Sequence, residues 1–277
     1  FHEQILKIEN TSQINSDLNK QILDTLSLTF PKTEGKFRCS KILLINPPDG
    51  DGQMFNFNSA KTGRYTNFAP YGLGIIAKHL NMLGYEAEIL NLNHEVLKKV
   101  TELNEEEFNY KNIIDNSIKK KIEEFSPDLI GLTCMFSMTH KSLKYISEVI
   151  KKIKNIPIAV GGVHISNSIW NEGTRESLLE DLDKIDLFFL FEAELLFSDF
   201  INSINDQFSN LSSIKQLVIN NKKRSFFFSA RERPEGESLN IIPDHEMMQS
   251  DELSFFGKVG NFNFLINKKN RITTILS

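Results

Sequence analysis

Cysteine is scarce in this chain. Cys39 and Cys134 are the two among 277 residues, and no C-x-x-C pair occurs. Two thiols cannot form a disulfide framework, and the spacing that holds zinc or an iron–sulfur cluster is missing. Such usage suits a reducing cytoplasm. A continuous apolar run of about 18 residues, the length of a membrane span, is also lacking. The most apolar stretch, Leu187 to Phe197, is interrupted by Glu192 and Glu194. No secretory signal pattern follows Phe1. Positive charge is not in excess: 32 Lys and Arg face 36 Asp and Glu, a net charge of -4. That balance gives no basic field for nucleic acid. Neither G-x-G-x-x-G after the first strand nor G-x-x-x-x-G-K-[ST] is present, which argues against a nicotinamide or nucleoside triphosphate site. Gly72 and Gly74 fall inside the first helical region, out of register for such a loop. Phenylalanine is the one abundant aromatic, 22 residues against one Trp and five Tyr, and reads as core filling.

What is present is a regular alternation. Ile14, Leu18, Ile22 and Leu26 mark a leader helix within residues 1–38. Lys41 to Asn46 is a short apolar run ended by Pro47-Pro48-Asp49-Gly50, hence a buried strand and a break. A long loop follows, to about Ala69; loops of that length are usually functional or disordered. Pro70 opens a helix whose inner stripe is Leu73, Ile76, Ala77, Leu80 and Leu83, and Gly84 ends it. Further strands are expected at Glu86–Leu90, Leu129–Thr133, Ile156–Val160 and Asp186–Leu190. Helices are expected on the stripes Ile114 to Phe125 and Leu143 to Ile153, at 177–182, and on Leu196 to Ile204. The acidic stretch 93–112 reads as solvated surface, with His94 in a polar loop. Five strands alternating with helices predict an α/β domain with a parallel, doubly wound sheet, over residues 39–208. Its expected strand order is 2-1-3-4-5, flavodoxin-like or Rossmann-like, with ligands beyond the carboxyl ends of the strands.

Residues 209–277 change character. Leu217–Ile219 and Ser225–Phe228 read as a hairpin, 229–245 as a charged linker, and Phe262 to Ile266 and Ile272 to Ser277 as strands. These pieces cannot bury themselves, so the sequence reads as an excerpt of a longer polypeptide.

Candidate ligand-binding residues follow from the strand tips. Thr133, Cys134, Met135 and Ser137 follow the third strand and offer hydroxyls and soft sulfur to an amide-decorated ligand or a flat ring. Gly161-Gly162, then Val163-His164, follow the fourth, where missing side chains let something approach the backbone. Phe191-Glu192-Ala193-Glu194 follows the fifth and places carboxylates at a helix N-terminus. Each has a plainer reading: a tight turn at the glycines, helix caps at Thr133 and Ser137, a small buried hydrophobe at Cys134, dipole compensation at Glu192 and Glu194, and a loop histidine at His164.

The order of several short motifs carries a resemblance. They are Asn46-Pro47-Pro48 after strand one, Pro70-Tyr71-Gly72-Leu73-Gly74 at the first helix, Gly84-Tyr85-Glu86-Ala87-Glu88, Ser126-Pro127-Asp128-Leu129-Ile130-Gly131, and Gly161-Gly162-Val163-His164. Over residues 41–277 the chain resembles the front part of cobalamin-dependent radical S-adenosylmethionine proteins. Ile241-Ile242-Pro243-Asp244 resembles the linker before their catalytic barrel, and Ile272 to Ser277 the first barrel strand. Phe191-Glu192-Ala193-Glu194 stands where the family has a Gly-Glu-Gly-Glu-like turn and lacks both glycines.

The resemblance implies a cobalamin-binding domain with Asn46, Pro47, Gly72, Thr133, Cys134, Met135, Ser137, Gly161, Gly162, His164, Glu192 and Glu194 around the cofactor. S-adenosylmethionine and a [4Fe–4S] cluster would belong to a radical domain past Ser277, the domain's own partner. The D-x-H-x-x-G motif that supplies a histidine to cobalt in methyltransferase-type domains is absent, and Asp244-His245 lies in the wrong place. The expected mode is therefore histidine-off. Thr133-Cys134-Met135 stands for the family's S-x-L, with its hydroxyl toward the nucleotide tail and the paired glycines leaving a slot for it. Two other readings share the strand order: a structural module without cofactor, suggested by bulky Met135, Phe136 and Met138, and a flavin domain, disfavoured by the few hydroxyls near Asn46.

Overall fold

Runs of Ile, Leu and Val that are apolar at every position can be satisfied only by burial on both faces. That is where they lie in the computed structural model, which describes residues 5–259 apart from 11–12, 31, 210, 212–213, 222–223, 234 and 237–239. The strands expected beyond Phe262 lie outside the described residues.

The strands are β1 (Ile5–Ile8), β2 (Lys41–Asn46), β3 (Glu86–Asn91), β4 (Leu129–Thr133), β5 (Ile158–Gly161), β6 (Leu187–Phe189), β7 (Leu217–Ile219) and β8 (Ser225–Phe228). The helices are α1 (Ser16–Thr29), α2 (Phe57–Lys61), α3 (Tyr71–Met82), α4 (Leu92–Glu102), α5 (Tyr110–Phe125), α6 (His140–Ile153), α7 (Val163–Trp170), α8 (Glu172–Asp181), α9 (Glu194–Asn205) and α10 (Leu253–Phe256).

The eight described strands form one sheet in the order β1-β8-β7-β6-β5-β4-β2-β3. From β3 through β2, β4 and β5 to β6 every pairing is parallel. β7 then pairs antiparallel with both β6 and β8, and β1 pairs parallel with β8. The expectation of a five-stranded, all-parallel sheet is therefore corrected to an eight-stranded mixed one. The reason lies in β6. All three of its residues are buried, and an open edge there would leave apolar side chains and ladder groups in water. The 217–228 hairpin closes that edge, and β1, from the segment expected to be only a helical leader, covers the hairpin.

Helices cover both faces. On one, α4 to α8 pack against Leu43, Ile45, Ile130, Leu132, Ile158, Val160 and Phe188. On the other, α1, α3 and α9 pack against Ile42, Leu44, Leu129, Ala159, Leu187 and Phe189. Helix ends follow local chemistry. Asn109 caps α5 by accepting from the Asn112 amide, and Ser126 ends it in the left-handed region (φ 53°) before Pro127.

The stretch read as solvated surface is also corrected. It contains α4, with Leu92, His94, Val96, Leu97 and Val100 buried. Apolar residues at Leu92, Val96 and Val100 recur at helical spacing, but the Glu-rich segment that follows masks them.

Phe227, 1% exposed on β8, packs edge-on to Trp170 and lies under the Arg175 guanidinium. If the hairpin is integral to the core, Phe227→Ala is expected to cost about 3–5 kcal/mol in urea unfolding. A loss under about 1 kcal/mol would mean that the parallel strands stand without it.

Candidate cobalamin site

The central strands carry a line of small residues on one face. Gly131 and Thr133 alternate along β4, and Ala159 and Gly161 along β5. Beneath them a cavity of about 420 Å³ opens between the sheet and the starts of α3 and α9. It lies at the carboxyl ends of the parallel strands, where such sheets take ligands. Its floor is Gly131, Ala159 and Gly161, its far wall Phe189 and Phe197, and its rim Gly72, Thr133, Met135, Glu192 and Glu194. A larger cavity, about 720 Å³, lies under the loop after β2 among Phe55, Phe108, Tyr110 and Tyr145. Aromatic side chains wall it, and it lacks the stripped backbone of the strand tips.

The two glycines act differently. Gly162 has φ 110°, and a Cβ there would stand 2.5 Å from the Cys134 carbonyl oxygen. Its missing side chain lets the turn after β5 lie directly on the turn after β4. Two hydrogen bonds hold the contact: Cys134 N donates to Gly161 O at 2.8 Å, and His164 N to Cys134 O at 3.2 Å. At Gly161 a Cβ would meet nothing nearer than the Phe189 carbonyl at 3.6 Å, so its bareness leaves room in the cavity. Ser166 links this turn to the next. Its hydroxyl donates to Gly162 O at 3.1 Å and accepts from Phe191 N at 2.7 Å.

At the rim, Glu192 lies 3.4 Å from the Arg231 guanidinium, and that guanidinium covers the Phe191 ring. Glu194 is different. Its Oε2 is buried without a hydrogen-bond partner. A buried, unanswered carboxylate oxygen is costly unless a ligand answers it. Together with a floor stripped of side chains, this fits a ligand bearing amide or hydroxyl donors, as the periphery of cobalamin does.

The structure thus brings Gly72, Thr133, Met135, Gly161, Gly162, Glu192 and Glu194 to one cavity, and leaves the other expected residues outside its lining. Asn46 donates to Asn91 Oδ1 at 3.0 Å at the far tip of β2. Pro47 is buried beside it in sequence. The Cys134 side chain is buried, and burial pushes its thiol up to about 12. Ser137 is exposed on a 3-10 turn, Ser137–Thr139. His164 accepts or donates a hydrogen bond with His140 rather than lining the cavity. Among the described residues no group of three or more His, Cys, Asp or Glu is placed to hold a metal ion.

Leu44, Gly131, Ala159, Phe189 and Phe197 were missed because core-forming residues look alike whether they fill a core or wall a cavity. The readable signal was small residues two apart on adjacent strands.

His94 was also missed. It is fully buried, Nδ1 lies 3.1 Å from Asn67 Nδ2, and Nε2 lies 3.6 Å from Glu252. Asn67 Nδ2 can only donate, so Nδ1 accepts and Nε2 carries the proton. Burial holds this imidazole below its usual range, Lys98 adds to that, and Glu252 opposes it.

Residues 64–176 match the family described as B12 binding domain. That match, on this sheet and cavity, defines the class: the chain carries a B12 binding domain of Rossmann-like fold, and cobalamin is its cofactor. The cytidylyl-2-hydroxyethylphosphonate methyltransferase of Streptomyces wedmorensis is 26% identical over 175 residues, 62% of this chain and 30% of that protein. The chain thus spans about a third of the length of that relative. Among solved structures, the radical S-adenosylmethionine methyltransferase TsrM from Kitasatospora setae, with tryptophan substrate and a S-adenosylmethionine analogue bound, shares the fold at TM-score 0.50. The identity is 15%, over 77% of this chain and 37% of that one. The same enzyme with cobalamin and a [4Fe-4S] cluster aligns at TM-score 0.49 and 18% identity, over 70% of this chain and 32% of that one. Among the described residues no helix is long and apolar enough to cross a membrane.

Two outcomes are expected. Gly162→Ala forces a side chain into a backbone conformation essentially reserved for glycine and should destabilise the fold by about 3 kcal/mol or more in urea unfolding. His94 ties stability to pH. Because its folded pKa is lowered, the unfolded chain takes up the proton first as pH falls through about 6.5. Stability should be full above that value and decline below it. His94→Gln, which keeps an acceptor for Asn67, should flatten that part of the urea-midpoint profile between about pH 7 and 5.

Proposed function

We propose that this chain is the N-terminal cobalamin-binding module of a radical S-adenosylmethionine enzyme, one that carries out a methyltransferase-type or related radical reaction, and that it holds cobalamin without a histidine ligand to cobalt. The observation that carries the reading is the cavity at the tips of β4, β5 and β6, floored by Gly131, Ala159 and Gly161 and bordered by Glu194, whose Oε2 is buried without a partner. The slot would take the nucleotide tail of the cofactor, with the Thr133 hydroxyl beside it. Met135, Phe136 and Met138, exposed on the loop after β4, offer soft apolar surface to the corrin. The loop after β2 supports the histidine-off mode. It has no histidine, and its Asp49 accepts from the Thr66 hydroxyl at 2.7 Å. Bound cobalamin would supply methyl-transfer chemistry; the protein's part is to seat and shield it.

In this proposal residues 1–38 are a leader, 39–208 the cofactor-binding unit, and 209–277 a hairpin and linker toward the radical domain. The partner is that domain of the same enzyme, with its own S-adenosylmethionine and [4Fe–4S] cluster, and the compartment is the cytoplasm. Packing of the linker supports continuity with the site. Gly74, on α3 near the cavity rim, is bare where Met248 and Pro243 lie against it, and Asn67 N donates to Lys258 O at 2.7 Å. The names of the relatives support a methyltransferase.

After incubation with hydroxocobalamin and desalting, the chain is expected to keep a cobalamin absorption band. Thr133→Leu and Gly161→Val should lose it by at least tenfold in affinity while keeping the wild-type circular dichroism and urea midpoint to within about 1 kcal/mol. A colourless wild-type chain would favour a cofactor-less module. Flavin fluorescence released on denaturation would favour a flavin domain.

A further inference from the structure

Beside the Gly161-Gly162 turn, three side chains from three helices are joined in series. Asp181, at the end of α8, places Oδ2 at 2.6 Å from His140 Nε2 on α6. The other ring nitrogen of His140, Nδ1, lies 3.1 Å from His164 Nε2 on α7. The two rings meet edge-on, with centroids 5.3 Å apart. Lys144 holds the second oxygen of Asp181 at 2.5 Å.

The protons in this chain can be placed. Lys144 and His140 hold the Asp181 carboxyl below its usual range, so it is ionised and only accepts. His140 Nε2 therefore carries a proton toward Asp181. With His140 neutral, its Nδ1 is bare and must accept, so His164 Nε2 donates. A neutral His164 that donates from Nε2 has a bare Nδ1.

Now add one proton. If it arrives at His164 Nδ1, the proton on His164 Nε2 can cross to His140 Nδ1. His164 ends neutral, with its proton moved to Nδ1. His140 ends as an imidazolium between Asp181 and His164. One proton has entered, one N–H bond has formed at His164 Nδ1, and one has shifted between rings. The charge has moved from His164 to His140, against the Asp181 carboxylate.

We propose that Asp181, His140 and His164 form a proton relay that accepts a proton at Nδ1 of His164, at the start of α7, and lodges the positive charge on His140.

Surrounding charges favour this direction. Burial and the neighbouring His140 hold His164 below its usual range, so the charge is disfavoured there. On α6, Lys144 is committed to Asp181, with Glu148 and Asp183 acting on it, and Lys141 lies 3.5 Å from Asp51 of the loop after β2. From β4, Cys134 faces the turn as a neutral thiol. The Asp181 carboxylate is thus the one anion in direct contact with either ring among the described residues. His164 is tied by its amide to the Cys134 carbonyl, so the relay's receiving end is fixed to the same backbone contact that shapes the slot. A relay in this place offers a proton acceptor on the helix that follows the Gly161-Gly162 turn. It does not depend on which cofactor the slot holds.

The test is a pH titration of the histidine ring nitrogens by nitrogen-15 NMR on the 277-residue chain without cofactor. At about pH 8, above the usual histidine range, His164 should carry its proton on Nε2 and His140 on Nε2. As pH falls, His140 should become the cation while His164 stays neutral and switches its proton to Nδ1. Asp181→Asn should lower the pH of that switch by about one unit or more. In His140→Gln the switch should vanish and His164 should titrate as a simple cation. A His164 already protonated on Nδ1 at high pH, or one that takes the charge itself in the wild type, would overturn the proposal. So would an unchanged titration in Asp181→Asn. These readouts are independent of cobalamin retention, so failure of the relay and failure of the cofactor assignment are distinguishable.

Discussion

The contact between the Gly162 backbone and the Cys134 peptide organises the functional end of the molecule. A side chain at 162 would overlap that peptide, at 2.5 Å from its oxygen. Without one, the turns after β4 and β5 close on each other through the Cys134–Gly161 and His164–Cys134 hydrogen bonds. Everything at the strand tips depends on this. It aims α7, brings Ser166 against the turn after β6, and so sets where Glu192 and Glu194 stand. It also fixes His164 against His140. The cavity on one side of the sheet and the histidine chain on the other are two consequences of one close approach of backbone.

The cavity itself follows from volume. The flanking strands fill their share of the layer with Leu44 and Phe189, while β4 and β5 present Gly131, Ala159 and Gly161. Interiors are otherwise packed to the density of organic crystals, so a row of missing side chains in the middle of a sheet needs a reason. Gly131 partly repays its own, since Leu44 and Phe197 lean over it. The space beyond, with the orphaned Glu194 oxygen at its rim, is what a cofactor's tail would fill.

Much of this fold was legible in the residues. Apolar runs placed β2 to β6, and the Ile114, Ile118, Ile122 stripe placed α5, because burial on both faces or one leaves a period in the text. Sheet extension was less legible. β7 and β8 read as a hairpin, but nothing local says that a hairpin joins a particular edge; that depends on the buried β6 edge needing a partner. α4 was hidden by the acidic residues after it, and with it the buried His94. At the site, Gly161-Gly162 pointed to the right turn, yet their separate tasks emerge only from what each would touch. Asn46, Ser137 and His164 sit near strand tips in sequence, but the twist and the two faces of the sheet send them elsewhere. The Asp181–His140–His164 chain joins α8, α6 and α7, and no sequence spacing announces such a meeting.

The most direct test of the central claim is the electron paramagnetic resonance spectrum of cob(II)alamin bound to this chain, in unlabelled protein and in protein with nitrogen-15 histidine. The account predicts a retained cofactor whose axial cobalt lines show no nitrogen splitting and do not change with the histidine label. A splitting that changes with the label would put a histidine on cobalt, and no bound cob(II)alamin at all would contradict the assignment of the slot.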